Sequence, residues 1–253
     1  MKQVHMILQS CDGIGKSFIA FLLAQHFMEQ NKTPVCIDTD TVHQTFFSFE
    51  AFEAFEACEA CEAFQAKPFK IIEDDNLNIQ AFENLTRNIE AADDESIFII
   101  DHGADAFVAI TAWMLEQKTA EQFQDNNTGL FIHAVIASGP ALEQTMAGLE
   151  NMLDHFPNVT FVVWLNPYFG KVEQASPAFE NTGLYKHHQQ KIHALVNIPA
   201  LPPTTFGANL CQMLEAKQTF IEARHNPDFS IFTRQRLVMI WRDLNTQITQ
   251  ANL

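Results

Sequence analysis

The sequence of 253 residues contains no apolar run that approaches the ~18 residues needed to cross a lipid bilayer. It lacks the basic start and long apolar stretch of a signal peptide, so we expect a cytoplasmic protein without a membrane span. Basic side chains are scarce, with 15 Lys and Arg against 31 Asp and Glu, which disfavours non-specific wrapping of nucleic acid. The five cysteines are odd in number and lie mostly in apolar or repeated sequence, so we expect reduced thiols and no disulfide framework.

Hydrophobic residues make up 47% of the chain and charged residues 18%, a balance that excludes a disordered protein. Apolar runs of strand length alternate with stretches of helical spacing. The predicted strands are residues 4–9, 34–38, 69–72, 96–101, 129–136, 159–165 and 192–198, and the clearest predicted helices are 17–30, 79–92, 104–117 and 140–155. This alternation predicts an α/β fold with a mostly parallel twisted sheet and helices on both faces.

Residues 49–66 break the alternation with six near-identical triplets, FEAFEAFEACEACEAFQA. A period of three rotates each Phe or Cys position by about 300° on an α-helix, so these positions wind round the helix and form no apolar stripe. Ala and Glu still favour a helix. We predict a surface insertion produced by triplet expansion; a partner-binding helix is the alternative.

A phosphate-binding loop is indicated by the sequence SCDGIGKS at residues 10–17, between a predicted strand and an apolar helix. It is close to the pattern G-x-x-x-x-G-K-[ST] in the strand–loop–helix context that the pattern requires. Gly13 and Gly15 let backbone N–H groups approach phosphate oxygens, and Lys16 supplies positive charge to the β and γ phosphates. Ser17 can bind Mg²⁺ at the helix N-terminus. We therefore predict one phosphate-loop NTPase-like domain over residues 1–253, with a helical C-terminal segment at about 204–250.

Two positions of the loop depart from the pattern. Ser10 stands where the first glycine is expected, which a negative φ would tolerate. Asp12 places a carboxylate inside an anion cradle, and two unit charges ~4 Å apart repel by up to about 4 kcal/mol at an effective dielectric constant near 20. We expect nucleotide affinity to be reduced by Asp12.

Carboxylates follow two of the predicted strands. Asp38 and Asp40 lie in CIDTD, and Asp101 ends the strand SIFIID. Ligands of such folds bind beyond the carboxyl ends of the strands, where carboxylates hold Mg²⁺ or orient an attacking water molecule. Turn and helix-cap chemistry is the alternative for all three. His102, directly after Asp101, is expected to form loop hydrogen bonds and not to act in catalysis.

Two further segments are candidate walls of a base pocket: VVWLNPYFG, which contains Asn166, and NIPAL, which contains Pro199. The first lacks the N-K-x-D arrangement that guanine-specific GTPases use. An Asn amide can still bind an adenine edge, so ATP is favoured over GTP. Residues predicted to contact the nucleotide are Asp12, Gly13, Ile14, Gly15, Lys16, Ser17, Phe18, Asn166 and Pro199.

These segments, together with IIDHGADAF and the near-terminal FTRQRL, resemble TraL-type conjugal transfer proteins of broad-host-range plasmids. Such proteins belong to the ParA/MinD-like class of deviant Walker A ATPases. The resemblance covers nearly the whole chain outside the triplets. It implies ATP and Mg²⁺ bound between the subunits of a homodimer, and partners among the relaxosome or transfer proteins of conjugation.

The class resemblance also implies residue roles. Asp40 matches the residue that positions the attacking water, and Lys16 is the second candidate catalytic residue. Ser17, Asp38 and Asp101 match magnesium ligands or their neighbours. The class uses a second lysine near the start of the loop to reach the partner's nucleotide, but Cys11 stands at that position here.

The sequence leaves three functional hypotheses open. The first is an ATP-binding, weakly hydrolysing switch protein that assists plasmid DNA transfer. The second is a nucleotide-free adaptor that keeps the fold with a degenerate loop, as Cys11 and Asp12 suggest. The third is a small-molecule kinase on the same scaffold, for which no acceptor-binding motif is visible.

Direct contact with DNA also stays open. Arg234, Arg236 and Arg242 are candidates for an exposed helix face that binds DNA or a partner, with an ordinary solvated helix as the alternative. Residues 50–95 hold 13 of the 31 acidic side chains, so the negative charge is concentrated locally and does not exclude a role in DNA transfer.

Overall fold

A parallel sheet of seven strands forms the centre of the computed structural model, which describes residues 1–40, 43–49, 67–73, 76–156, 158–168 and 179–253. The order of its strands is β3-β2-β6-β1-β7-β8-β9. Those strands are β1 (Lys2–Ile7), β2 (Val35–Asp38), β3 (Lys67–Pro68), β6 (Ile97–Asp101), β7 (Thr128–Ala137), β8 (Thr160–Asn166) and β9 (Ile192–Asn197). The α/β fold expected from the alternating pattern is confirmed, as are six of the seven predicted strands.

Helices cover both faces of this sheet. They are α1 (Lys16–Glu29), α2 (Ile79–Ala91), α3 (Phe107–Glu116), α4 (Thr119–Asp125), α5 (Leu142–His155), α6 (Gly183–His188), α7 (Ala208–Glu215), α8 (Phe220–His225) and α9 (Ile231–Gln250). Among the described residues, none of these helices combines the length and the apolar character needed to cross a membrane.

Alternating side chains of each central strand enter two separate apolar cores. In β6, Ile97 and Ile99 pack with α1 and the C-terminal helices. Phe98 and Ile100 pack on the opposite face with α2, α3 and α5. This period of two is the geometry of a strand that is buried on both sides, and it explains why the central strands are apolar without interruption.

Helix α1 is apolar around its circumference from Phe18 to Ala24, and protein encloses this part of the helix. Ile19, Leu23 and Phe27 are all fully buried, in the core that also contains Leu237 and Leu244 of α9. A helix that contacts a sheet on one side and another helix on the other has no solvent face to keep polar. The enclosure fixes the N-terminus of α1, where the candidate phosphate-binding loop ends.

The predicted strand at residues 69–72 is wrong. Lys67 and Pro68 pair with the end of β2 as a two-residue edge strand, and the Phe69 N–H donates to Asp38 O at 2.8 Å. Ile72 then pairs with Leu77 in a separate antiparallel hairpin of β4 (Ile72–Glu73) and β5 (Asn76–Leu77). The apolar residues of this segment, Ile71 and Ile72, are buried as cover for one face of the sheet.

The triplet repeat lies outside the described residues except for its first member. Phe49 is buried and packs on Phe21 of α1, with ring centroids 4.4 Å apart. The first aromatic position of the repeat is therefore part of the core beside α1. The surface insertion expected at about residues 49–66 stays a prediction for residues 50–66, whereas its first residue, Phe49, is buried.

A chain of polar side chains lies buried inside the sheet. The Trp164 indole N–H donates to His133 Nδ1 at 2.9 Å, and His133 Nε2 lies 2.9 Å from His5 Nδ1. Because an indole can only donate, neutral His133 carries its proton on Nε2 and donates it to His5. His5 Nε2 then holds a proton for which the described residues provide no acceptor.

Candidate functional site

The predicted site residues converge at the carboxyl edge of the sheet, because all seven strands run in the same direction. The loop of residues 8–15 leaves the central strand β1 and enters α1. Asp38 ends β2, Asp101 ends β6 and Asn166 ends β8. Pro199 follows β9, whose neighbour is β8, and the Ile198 N–H donates to Leu165 O at 3.0 Å. One edge thus carries the residues that the sequence places far apart.

The loop adopts backbone conformations that suit its glycines. Gly13 has φ +68° with open space where a Cβ would lie, and Gly15 has φ +96° as the N-cap of α1. A Cβ on Gly15 would lie 3.0 Å from Asn166 Nδ2, so a side chain would be strained and also crowded. This combination presents backbone groups at the positive end of a 14-residue helix.

Lys16 is buried and bound to its own loop. Its Nζ donates to Cys11 O at 2.5 Å and lies 3.6 Å from Asp12 Oδ1. Only 6% of the Lys16 side chain is exposed, compared with 60% for Asp12. The lysine is therefore held by a carbonyl and a carboxylate, and an incoming anion would compete with both.

Asp101 is the most unusual carboxylate at this edge. It has no exposed surface, and within the described ranges no donor reaches either carboxylate oxygen with both the distance and the angle of a well-formed hydrogen bond. Burial raises its pKa to about 7, and the charges of Asp38 and Asp40 add to the rise. The Ser17 hydroxyl, which can donate to the carboxylate, and the charge of Lys16 oppose it. A buried carboxylate beside a serine hydroxyl fits a divalent cation such as Mg²⁺, which prefers carboxylate and hydroxyl ligands.

Asp38 and Asp40 are tied into the chain that follows β2. Asp38 accepts from the Asp40 N–H at 3.0 Å and, through its other oxygen, from the Phe47 N–H at 2.8 Å. Burial raises the pKa of Asp38, although these bonds oppose the rise. Asp40 accepts from the His43 N–H at 2.9 Å. The structure thus gives Asp38 a clear role as anchor of this turn, and its place in a magnesium shell stays a prediction.

Asn166 supports the loop from β8. Its Nδ2 donates to Ile14 O at 2.8 Å, and its Oδ1 accepts from the Tyr168 N–H at 3.1 Å. The same side chain that the sequence suggests for an adenine edge is thus a brace for the phosphate-binding loop. Phe18 is half-buried at the first turn of α1 and packs on the core with Phe21 at 6.4 Å.

Gln9 is a positioning residue that the motif analysis missed. The side chain is buried; its Nε2 donates to Val135 O and Thr145 O, both at 3.0 Å, and its Oε1 accepts from the Ser10 N–H at 2.9 Å. These bonds fix the start of the loop to β7 and α5. The available signal was a polar residue directly between an apolar strand and a glycine-containing loop.

Thr39 and His102 join β2 to β6 behind Asp101. The Thr39 hydroxyl donates to Asp101 O at 2.9 Å and lies 2.8 Å from His102 Nδ1. His102 therefore carries its proton on Nδ1 and leaves Nε2 as a buried acceptor that no described residue satisfies. His102 thus forms a hydrogen bond of the kind expected from the sequence.

The curated relatives of the chain agree with the sequence resemblance. No protein-family model matches the chain. Among solved structures, the MinC:MinD cell division protein complex of Aquifex aeolicus is similar, with a TM-score of 0.49 and 13% identity, over 96% of this chain and 95% of that one. Two Escherichia coli proteins named protein TraL are each 34% identical to it over 252 residues, which cover 99% of this chain and 99% of each relative. With this identity across nearly the full length of both proteins, the chain belongs to the TraL family.

Proposed function

We propose that the protein is an ATP-binding, weakly hydrolysing switch that assists conjugal transfer of plasmid DNA. The observation that carries this proposal is the placement of Lys16 and the loop glycines beside the fully buried carboxylate of Asp101, which has no well-formed hydrogen bond among the described residues. A buried ionisable group without partners is costly unless a cation or a proton satisfies it. Membership of the TraL family supplies the context of transfer.

Different residues of the site would bind different parts of Mg-ATP. Backbone N–H groups of Gly13, Ile14 and Gly15 would hold phosphate oxygens, and Lys16 would supply positive charge to them. Ser17 and Asp101 would hold Mg²⁺, which supplies charge neutralisation to the phosphates when bound. Asp40, buried at the same edge, is the candidate for orienting a water molecule. Asn166 and Pro199 would form two walls around the base.

Nucleotide binding would alter the contacts that the phosphate-binding loop makes with other residues. Mg-ATP binding would draw the Lys16 ammonium group from the Asp12 carboxylate toward a phosphate, and this exchange of partners would change the contacts of the loop. That exchange gives the bound and free states different free energies, which is the requirement for a switch. A homodimer or a transfer protein that contacts this edge would sense the difference.

One observation favours the adaptor hypothesis as the second candidate. Lys16 already has a carbonyl and a carboxylate as partners inside its own loop, so the lysine is satisfied without phosphate. A fold that has lost its nucleotide would keep such internal bonds. This hypothesis predicts no binding of Mg-ATP at millimolar concentration.

Replacing Lys16 with Ala should weaken Mg-ATP binding by about 10-fold to 100-fold, the cost of losing a hydrogen bond to a charged group. Isothermal titration calorimetry of the wild type and the variant measures this. Lys186→Ala, in α6, is the matched control and should bind as the wild type does. Absence of binding to the wild type would overturn the switch proposal and leave the adaptor.

Asp12→Gly and Asp12→Asn should both tighten Mg-ATP binding, by roughly 3-fold to 10-fold, because each removes a carboxylate charge near the phosphate path. Solvent screening at this 60% exposed side chain keeps the effect well below the unscreened Coulomb value. The control Asp125→Asn, at the end of α4, should leave affinity unchanged. Equal affinities for wild type and both Asp12 variants would show that this carboxylate is remote from bound phosphate.

A further inference from the structure

Three side chains of metal-ligand type meet at the mouth of the loop. They are Asp12 from the loop itself, Asp40 two residues after the end of β2, and His43 three residues further on. One ligand atom of each lies within 4.8 Å of the others. Two carboxylate oxygens and an imidazole nitrogen are thus brought together from two separate segments of the chain.

The cluster is partly preorganised. Asp40 is 11% exposed, its carboxylate is held by the His43 N–H at 2.9 Å, and its second oxygen lies 3.5 Å from His43 Nδ1. The Asp12 and His43 side chains are 60% and 57% exposed, so both can rotate without disturbing a core. Ligand atoms that bind one ion at ~2.0–2.2 Å lie about 3.0–3.5 Å apart, so atoms separated by up to 4.8 Å would approach one another by roughly 1.5–2 Å at most.

Charge at this edge favours a cation. Asp38, Asp40 and Asp101 influence one another electrostatically, and the nearby positive groups are Lys16 and, when protonated, His43. Asp12 adds a fourth carboxylate, 3.6 Å from the same lysine. A single ammonium group leaves this region of the described chain negative, so a divalent ion would relieve repulsion among the carboxylates.

We propose that Asp12, Asp40 and His43 bind a divalent transition-metal ion of the Mn²⁺ to Zn²⁺ series, at a site separate from Asp101 and Ser17. The imidazole nitrogen favours these ions over Mg²⁺ and Ca²⁺, which prefer oxygen ligands alone. A bound ion would connect the phosphate-binding loop to the turn after β2. It would also neutralise the charge of Asp12 beside Lys16. The residue that departs most from the phosphate-binding pattern would then have a role as a metal ligand.

The test titrates the nucleotide-free full-length protein with Mn²⁺ and follows the EPR signal of the free ion. Mn²⁺ is chosen because it binds thiolates poorly, which keeps the cysteines out of the measurement. We expect one bound ion whose spectrum shows coupling to a directly bound imidazole nitrogen. Asp12→Asn and His43→Ala should each weaken binding by about 10-fold or more, and His43→Ala should remove the nitrogen coupling.

Three comparisons decide the outcome. His155→Ala, which alters an exposed histidine of α5, is the matched control and should bind Mn²⁺ as the wild type does. Lys16→Ala should retain or strengthen Mn²⁺ binding while it weakens Mg-ATP, so failure of the metal site and failure of the nucleotide proposal give different results. Binding that is lost in Asp101→Asn but unchanged in His43→Ala would place the ion at the magnesium site and overturn the proposal, as would the absence of binding.

Discussion

The free energy of unfolding should fall by about 2–3 kcal/mol for each pH unit between pH 6 and pH 4, because three buried histidines stay neutral in the folded chain. His5 and His133 lie inside the sheet, and His102 lies behind Asp101. Each would have to accept a proton in surroundings where a charge is poorly solvated. In the unfolded chain all three are exposed to water and protonate near pH ~6.5.

The neighbours of each ring strengthen this difference. Burial lowers the pKa of His5 to about 3, and His26 and Lys32 act in the same direction. Burial, followed by Lys16, lowers the pKa of His102 to about 3. Burial, followed by the adjacent His5, lowers the pKa of His133 well below its usual value. The stability these rings contribute as neutral groups is fully present above pH ~6.5 and is lost as the pH falls below it.

Asp101 works against this trend. Its pKa is raised to about 7, so the folded chain takes up a proton between pH 7 and ~4 that the unfolded chain does not. This proton uptake cancels the contribution of one histidine to the slope, about 1.4 kcal/mol per pH unit. The contributions of the other two histidines remain. The raised pKa of Asp38 reduces the slope further toward the lower end of the expected range.

Urea unfolding at a series of pH values measures this slope. His102→Asn should reduce it by about 1.4 kcal/mol per pH unit, whatever the variant does to stability at neutral pH. His155→Asn, which changes an exposed ring, should leave the slope as in the wild type. A stability that stays constant from pH 6 to pH 4, or an unchanged slope in His102→Asn, would contradict the assignment of these rings as neutral.

The sequence predicts the sheet well because its central strands are buried on both faces and read as uninterrupted apolar runs. It fails at residues 69–72, where apolar side chains cover the sheet without joining it. Phe69 donates its N–H to the end of β2, and Ile72 enters a hairpin instead. An apolar run reports burial, but which backbone groups it pairs with depends on neighbours far away in the chain.

The loop pattern likewise predicts the conformations of Gly13 and Gly15, since only glycine adopts them without strain. It does not predict that Lys16 is held by Cys11 O, or that Asn166 braces the loop. The hydrogen bonds of Gln9 and Thr39 cannot be predicted from the sequence for the same reason. Their roles arise from hydrogen bonds to segments that only the folded sheet brings near.

Gly148→Ala should destabilise the protein by about 2–4 kcal/mol, although alanine is the better helix former by ~1 kcal/mol. Gly148 lies within α5, against the buried amide of Gln9. A Cβ at this position would lie 2.2 Å from Gln9 Oε1 and 3.3 Å from Ser10 Oγ. The amide would have to move and give up the bonds that fix the start of the loop.

A double-mutant cycle with Gln9→Ala separates steric conflict from helix propensity. Gln9→Ala alone should cost about 1–3 kcal/mol, because it leaves the Ser10 N–H and two carbonyls without this partner. In that background Gly148→Ala should become stabilising by roughly 1 kcal/mol, since the new methyl group no longer meets an amide and fills part of the space it left.

Gly183→Ala is the matched control, because Gly183 begins α6 and has open space where its Cβ would lie. It should be neutral or slightly stabilising in both backgrounds, as measured by urea unfolding. A Gly148→Ala effect of equal size with and without Gln9 would show that the conflict lies elsewhere in α5. A change of sign between the two backgrounds would identify the Gln9 amide as the contact that holds the phosphate-binding loop to α5 and β7.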